Sequence, residues 1–224
     1  SLVNPVRMIS AQNRFSLGIC FEITKYQQIA KRVLPSSRVF DVDCGGGDLG
    51  CSLKEKNCTV TGWDQKLDRI DKNAEFYKLL EERDVEKEGL GKEKYDAVVF
   101  SDVLEHLCDA GKVLRQSRDL LNAGGKVLVS LPNVAYFENR LGLFKGNWNY
   151  TDEGILDRTH IRFYTLATAR KFLTDAGFKI REMEPEIPII HSAWKQNLFS
   201  FLSKTFPSLF AIGWVFEVES ILMN

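Results

Sequence analysis

The sequence predicts a doubly wound α/β sheet, and three observations carry that expectation. Short apolar runs alternate with stretches of helical spacing along most of the 224 residues, the pattern of strands joined by crossover helices. The first such run ends in acidic residues and then in three consecutive glycines, Gly45, Gly46 and Gly47, within 39–50. A second run, 60–63, ends at Asp64. A glycine turn behind a strand lets backbone approach a ligand closely, and an acidic side chain about 20 residues further on can hold ribose hydroxyls. A nucleoside-containing cofactor at the carboxyl edge of a parallel sheet is the expected ligand.

Element by element, the reading runs as follows. Phe21, Ile23, Tyr26, Ile29, Ala30 and Val33 recur at helical spacing, and Pro35 ends that helix. Strands are expected at 38–43 and 58–63. The charged stretch 64–94 should hold a helix and a short strand near 77–80. Residues 95–100 read as a buried strand. Val113, Leu114, Leu120 and Leu121 mark a helix stopped by Gly124 and Gly125, and 126–130 is a strand closed by Pro132. From 133 to 164 the pattern loosens into a long loop, a feature that is usually functional in a compact domain. Thr165 then caps a helix with Leu166, Ala169, Phe172, Leu173 and Ala176 inward, ending at Gly177. A strand at 178–183, an irregular stretch at 184–192, an apolar-rich helix at 194–206 and a last strand at 210–218 complete the chain.

With 44% hydrophobic residues the chain can bury one good core. Lys+Arg and Asp+Glu are equal at 30 each, so there is no electrostatic footprint for a polyanion and no nucleic-acid partner is expected. The five cysteines form no C-x-x-C pair and no repeated spacing, which reads as reduced thiols and a cytoplasmic location. Ser1 in place of Met reads as a processed start. No signal-peptide pattern opens the sequence, and no apolar stretch approaches the length of a transmembrane helix.

Gly45-x-Gly47-x-x-Gly50 formally matches the dinucleotide fingerprint. Asp41 argues against that cofactor, because a carboxylate beside a pyrophosphate is repelled. Beside an ammonium or a sulfonium it is attracted, and S-adenosylmethionine (SAM) carries both.

The residues that follow each strand extend this reading. Asp41-x-x-x-Gly45-x-Gly47, the Tyr95 to Val98 block, the Asp102 to Leu107 block and the Leu121 to Leu128 block come in an order and spacing that resemble class I SAM-dependent methyltransferases, over about residues 36–183. The resemblance implies a Rossmann-like seven-stranded sheet, mostly parallel with the last strand antiparallel. It implies one methyltransferase domain over 1–224, with an N-terminal helical extension (1–36), a SAM-binding core (37–183) and a C-terminal helix and last strand (184–224). It places Asp41, Asp43, Gly45 and Gly47 about the methionine part of SAM, Asp64 on the ribose, Asp84 and Val85 at the adenine, and Ser101 and Asp102 beside the sulfonium. One position departs from the pattern: Asp43 stands where the family usually has glycine. A side chain there intrudes on a tight turn and adds negative charge, which keeps open a member that binds SAM weakly or transfers no methyl group. A finer resemblance, carried by Pro132 to Ala135, 154–160, Arg162-Phe163 and 206–211, is to methyltransferases associated with surface-polysaccharide and methionine-biosynthesis gene clusters.

Two of the three histidines fall in the presumed active region. Asp102, Glu105 and His106 are spaced i, i+3, i+4 and would share one face of a helix, while His160 comes from the long loop. His160 is the best candidate for a general base, with His106 beside it. Glu105, His106 and His160 could also hold a divalent metal. The resemblance to small-RNA 2′-O-methyltransferases and ubiquinone-pathway O-methyltransferases, which use a similar acidic-x-x-Glu-His segment, supports a metal. A purely structural role stays open, with Asp102 as a helix N-cap. Arg158 and Arg162 are expected to pair with Asp157 or to bind an anionic substrate, and His191 reads as surface. Trp148 and Tyr150 line an acceptor pocket or fill core. The helix at 194–206 is expected to pack on the last strand, with a peripheral membrane or partner contact as the alternative. The expected activity is SAM-dependent methyl transfer to a hydroxyl of a small molecule or sugar. The alternatives are a SAM-fold regulatory or binding subunit without methyl transfer, and RNA 2′-O-methylation.

Overall fold

The computed structural model describes residues 24–70 and 76–221. Phe21 and Ile23 of the expected first helix lie outside the described residues, as do 71–75 of the charged stretch. What is described begins with α1 (Thr24–Arg32), whose buried Ile29 and Ala30 face the sheet.

Seven strands form one sheet: β1 (Arg38–Val42), β2 (Thr59–Asp64), β3 (Leu79–Glu82), β4 (Tyr95–Ser101), β5 (Leu121–Pro132), β6 (Phe178–Glu186) and β7 (Gly213–Ser220). Their order is β3-β2-β1-β4-β5-β7-β6. The first five strands are parallel neighbours, and β7 inserts antiparallel between β5 and β6. Because side chains alternate along a strand, β1 sends Phe40 and Val42 into one apolar layer and Val39 into the other. Phe40 and Val42 pack with Phe100, Leu114, Leu173 and Trp214; Val39 packs with Ile29, Leu49, Leu53 and Val99. Helices α2 (Asp48–Leu53), α3 (Val85–Glu88), α4 (Ala110–Gln116), α5 (Phe137–Phe144), α6 (Leu166–Asp175), α7 (Ala193–Thr205) and α8 (Pro207–Phe210), with short 3₁₀ turns at Lys54–Lys56, Leu67–Arg69 and Ser117–Leu120, complete the described elements.

Several expectations shift. The helix expected to run to Gly124 stops at Gln116 and tightens into a 3₁₀ turn over Ser117–Leu120. Gly124 and Gly125 lie inside β5. A Cβ on Gly125 would stand 2.9 Å from the Asn122 carbonyl and 3.2 Å from that of Tyr95, so this glycine serves a close backbone approach rather than a helix stop. The loop from 133 to 164 contains α5, which its glycines had masked. Strand β6 runs through Pro185 to Glu186, which its position at the sheet edge permits. The last strand starts at Gly213, because Pro207 opens the short helix α8. Thr165 does cap α6, in a reciprocal capping box with Thr168.

The exit of β5 is tied down by Asn133, which is fully buried. Its amide donates to the Ile212 carbonyl at 2.8 Å. Its side-chain nitrogen donates to the carbonyls of Ala211 (2.7 Å) and Ser208 (3.2 Å), and its side-chain oxygen accepts from the Ala135 amide. Val134 N donates to the Tyr164 carbonyl next door.

Of the cysteines, Cys44, Cys58 and Cys108 are free. Cys51 is disulfide-bonded, against the expectation of reduced thiols throughout; spacing alone does not show which thiols a fold brings together. Among the described residues no helix is long and apolar enough to cross a membrane.

Candidate active site

Behind β1 the chain makes a tight turn through three left-handed residues, Asp43 (φ 59°), Gly45 (φ 54°) and Gly47 (φ 84°). Its backbone is stitched to β2: Cys44 N donates to the Trp63 carbonyl, and Gly45 N donates to Asp64 Oδ2 at 2.7 Å. The other oxygen of Asp64 accepts from Lys66 N at 2.9 Å. Tyr77, which the sequence assigned only to a short strand, slots beneath this turn. A Cβ on Gly50 or Gly62 would come within 2.6–2.7 Å of its ring. The Tyr77 hydroxyl donates to Asp41 Oδ2 at 2.5 Å and accepts from Gly50 N.

Three carboxyl groups therefore crowd one turn. Burial pushes Asp41 up to about 7, the Tyr77 hydrogen bond opposing and the charges of Asp43 and Asp64 adding. Burial and the hydrogen-bonded Asp64 beside it push Asp43 up to about 7 as well. Such a cluster favours a cationic ligand. Beyond β3, Asp84 caps α3 by accepting from the Glu86 and Lys87 amides, and with Gln65, Glu82 and Arg83 it lines an open hollow of about 330 Å³. Val85 turns into the core against Trp63 and Leu90 instead.

After β4 the expected helix is absent. Ser101 ends the strand, Asp102 takes a left-handed conformation (φ 54°), and 103–109 form turns before α4 starts at Ala110 with Asp109 as its cap. Asp102 is thus no N-cap, and it parts from Glu105 and His106. Its amide donates to Ser130 Oγ at 2.9 Å, and Ser130 Oγ donates back to Asp102 Oδ1 at 2.5 Å. Lys25 of α1 closes an ion pair on its other oxygen. Burial alone would raise the Asp102 carboxyl, but Lys25 and Ser130 outweigh it and hold it below the usual range.

Glu105, His106 and His160 do converge, through loop-to-loop bonds rather than a helix face. The Glu105 carbonyl accepts from the amides of Ile161 (3.0 Å) and Arg162 (3.1 Å). Arg162 also donates from its guanidinium to the carbonyls of Leu107 and Cys108, while Arg158 pairs with Asp152. Neither arginine pairs with Asp157, which instead accepts from the amide and hydroxyl of Thr159. Thr159 in turn braces His106 Nδ1 at 3.1 Å. His160 Nδ1 lies 3.1 Å from the Ile155 carbonyl. A carbonyl only accepts, so Nδ1 carries the proton and the Nε2 lone pair is left facing Glu105 Oε1 at 3.9 Å. The two imidazoles meet edge to face, with centroids 4.7 Å apart.

The carboxyl of Glu105 is 0% exposed, and neither of its oxygens has a hydrogen-bond partner among the described residues. Burial, with Asp102 adding, raises it well above the ordinary carboxylate range. His160 is lowered by burial and stays neutral near neutral pH. One ligand atom from each of the three residues lies within 4.8 Å of the others. Partnerless buried oxygens beside imidazoles whose Nδ1 sides are engaged are a donor set that suits a divalent cation. Trp148 is half-buried against Phe163 at 5.7 Å, and Tyr150 and His191 are exposed.

A model of the methyltransferase domain family matches residues 19–183. The chain belongs to that family. This methyltransferase is 28% identical over 174 residues to a ubiquinone biosynthesis O-methyltransferase of Aeromonas salmonicida, covering 72% of this chain and 69% of the relative. It is 34% identical over 109 residues to the Paracidovorax citrulli protein of the same name, and that match spans 45% of each, so the chain matches less than half the length of that relative. Among solved structures, a SAM-dependent methyltransferase from Archaeoglobus fulgidus aligns with a TM-score of 0.60 at 16% identity over 92% of this chain and 93% of the other. Magnesium protoporphyrin IX methyltransferase from Synechocystis, with bound S-adenosylhomocysteine, aligns at 0.59 and 20% identity over 97% and 88%. At these identities the likeness is one of fold: that of class I SAM-dependent methyltransferases, as the strand order also has it.

Proposed function

We propose that this methyltransferase moves the methyl group of SAM to a hydroxyl oxygen of a small molecule. The observation that carries the reading is the buried, partnerless Glu105 carboxyl facing the free Nε2 of His160 at the carboxyl edge of β4. Similarity to O-methyltransferases supports oxygen as the acceptor atom. The finer resemblance to methyltransferases of polysaccharide gene clusters makes sugar hydroxyls worth testing beside those of other small molecules.

In this reading the acceptor oxygen attacks the methyl carbon, the S–CH₃ bond breaks, and S-adenosylhomocysteine leaves. The acceptor's proton passes to His160 Nε2, with His106 braced beside it. Most of the acceleration comes from holding the two reactants in line. Asp41, Asp43, Gly45 and Gly47 surround the methionine part, Asp64 serves the ribose, Asp84 borders the adenine, and Ser101 and Asp102 flank the sulfonium. The inward position of Val85 supports a packing contribution there rather than a direct contact. In the alternative form of this reading, Glu105, His106 and His160 (through its Nε2) would hold a divalent cation, whose Lewis acidity toward the acceptor hydroxyl would then replace His160 as the aid to deprotonation. Because Glu105 must give up its proton to such an ion, binding should strengthen as pH rises. A cytoplasmic location belongs to the same reading, supported by three free thiols and opposed by the Cys51 disulfide.

The decisive experiment is His160→Ala. Turnover with a hydroxyl acceptor should fall at least about a hundredfold, while calorimetry shows SAM bound as tightly as before. Unchanged turnover removes His160 from the chemistry. A second reading, a SAM-fold regulatory or binding subunit that transfers nothing, is favoured by the Asp43 side chain in the tight turn, which works against SAM binding; no measurable SAM binding in calorimetry would favour it over catalysis.

A further inference from the structure

We propose that this methyltransferase docks on an anionic lipid bilayer through the outer faces of α5 and α7, with the carboxyl edge of its sheet turned toward the membrane. The proposal stands on surface chemistry and does not depend on the acceptor.

Exposed apolar side chains concentrate on these two helices and the segments joined to them. On α7, Trp194 (66% exposed), Leu198 and Phe201 (63%) repeat at i, i+4 and i+7, one helical face. Phe199 and Ser203 point the other way and anchor the helix: Phe199 packs on Phe137 of α5 and Phe210 of α8, and the Ser203 hydroxyl donates to the Phe210 carbonyl. The expectation that this helix packs on the core thus accounts for only one of its faces. On α5, Leu141, Leu143 and Phe144 are exposed, Phe144 at 88%. Phe137 meets both Phe199 and Phe210, so the two helices are parts of one body. An apolar surface of this kind marks an interaction site.

Charge selects the partner. The chain as a whole has as many acidic as basic residues, 30 of each, yet 187–216 contains no Asp or Glu, and neither does 139–151. The basic residues there, Arg140, Lys145, Lys195 and Lys204, form no ion pair with any described residue, though Arg140 donates to the carbonyls of Ala135 and Ser208 and Lys195 stands over the Trp194 ring. Exposed aromatics flanked by cations that have no acidic partner, with Glu138 at the start of α5 the one acid on either helix, form the pattern of an interfacial helix on anionic lipid. A second copy of the same chain would set these cations against each other.

Topology sets the orientation. Strand β5 runs parallel to β4 and delivers α5 just beyond its carboxyl end, and α7–α8 lead into the first residue of β7, which pairs with Pro132 at that same edge. Glu105, His106 and the glycine turn also follow carboxyl ends of strands, so the docking face and the candidate site share one edge of the sheet.

The test is flotation of the full chain with phosphatidylcholine vesicles, with and without phosphatidylglycerol, together with tryptophan emission. The chain should float with the anionic vesicles, shift its emission to the blue, and be released by salt. Trp194→Gln, Phe201→Gln and Phe144→Ser should each weaken binding on the order of tenfold, and Lys195→Gln and Lys204→Gln about fivefold each. Phe144, Trp194, Phe201 and Lys204 are exposed and Lys195 is partly so, and unchanged circular-dichroism melts verify that the variants fold. Failure to float with either vesicle overturns the proposal. So does equal binding by the apolar variants, or a dimer in sedimentation that those variants dissolve without any vesicle binding.

Discussion

Asp43 carries two costs in one residue. A non-glycine side chain in the left-handed region costs on the order of 1 kcal/mol, and its carboxyl is buried against that of Asp64. A carboxyl raised to about 7 in the fold, against about 4 in the unfolded chain, stays protonated when folded. Its contribution to stability is therefore complete below pH 4 and is lost as pH rises toward 7. Asp43→Asn keeps a side chain that tolerates the turn and removes the ionisation. Denaturant titrations should find it no different from the parent at pH 4 and more stable by at least about 1 kcal/mol at pH 8. The position of Asp43 was legible in the sequence because a glycine turn is a local object. Tyr77 was not, since its contacts with Gly50 and Gly62 join parts of the chain that periodicity cannot relate. Glu105, His106 and His160 were legible as residue types, whereas the helix expected to align the first two fails. Left-handed Asp102, held by Ser130 and Lys25, turns the chain away, and the carbonyl of Glu105 gathers the second loop.

Among the elements, α6 shows how much local chemistry decides. Thr165 and Thr168 satisfy each other's backbone amides, and Ala169 and Leu173 enter the core one turn apart. Thr165→Ala should cost about 1 kcal/mol, read as a lower midpoint in urea with unchanged slope, since the helix itself persists through its buried face. Caps and glycine stops of this kind made α6 readable to within a residue or two. By contrast, α5 was hidden because Gly142 and Gly146 break an apolar pattern that faces outward as much as inward. Gly124 and Gly125 misled for a related reason. The demand they meet comes from a neighbouring carbonyl on β4, a tertiary constraint with no signature in the local sequence.

For the molecule as a whole, buried carboxyls near the carboxyl edge of the sheet set the pH response. Asp41, Asp43 and Glu186 are each raised to about 7 and Glu105 well above the ordinary range, all chiefly by burial. Each loses stabilising effect as pH climbs from about 4 through its folded value. His160, lowered by burial, works the other way below its ordinary 6.5, but it is one group against four. Asp96, Asp102 and Glu184, held low by their partners, withdraw their contribution only in stronger acid. Melting temperature should thus peak near about pH 5 and fall toward pH 8; a curve still rising at pH 8 would contradict these burials. The alternation of strands and helices announced the sheet, but not that its last strand inserts antiparallel beside β5, which came from resemblance. That insertion has a consequence through Asn133. One side chain and its amide join the exit of β5, the entry of β7 and the chain leading from α8, while the next residue binds Tyr164. Both ends of the 133–164 segment are therefore fixed to the sheet and its neighbours. Pulling either anchor point away from the sheet would break bonds that continue the β5–β7 pairing, so the two ends of this segment share the stability of the middle of the protein.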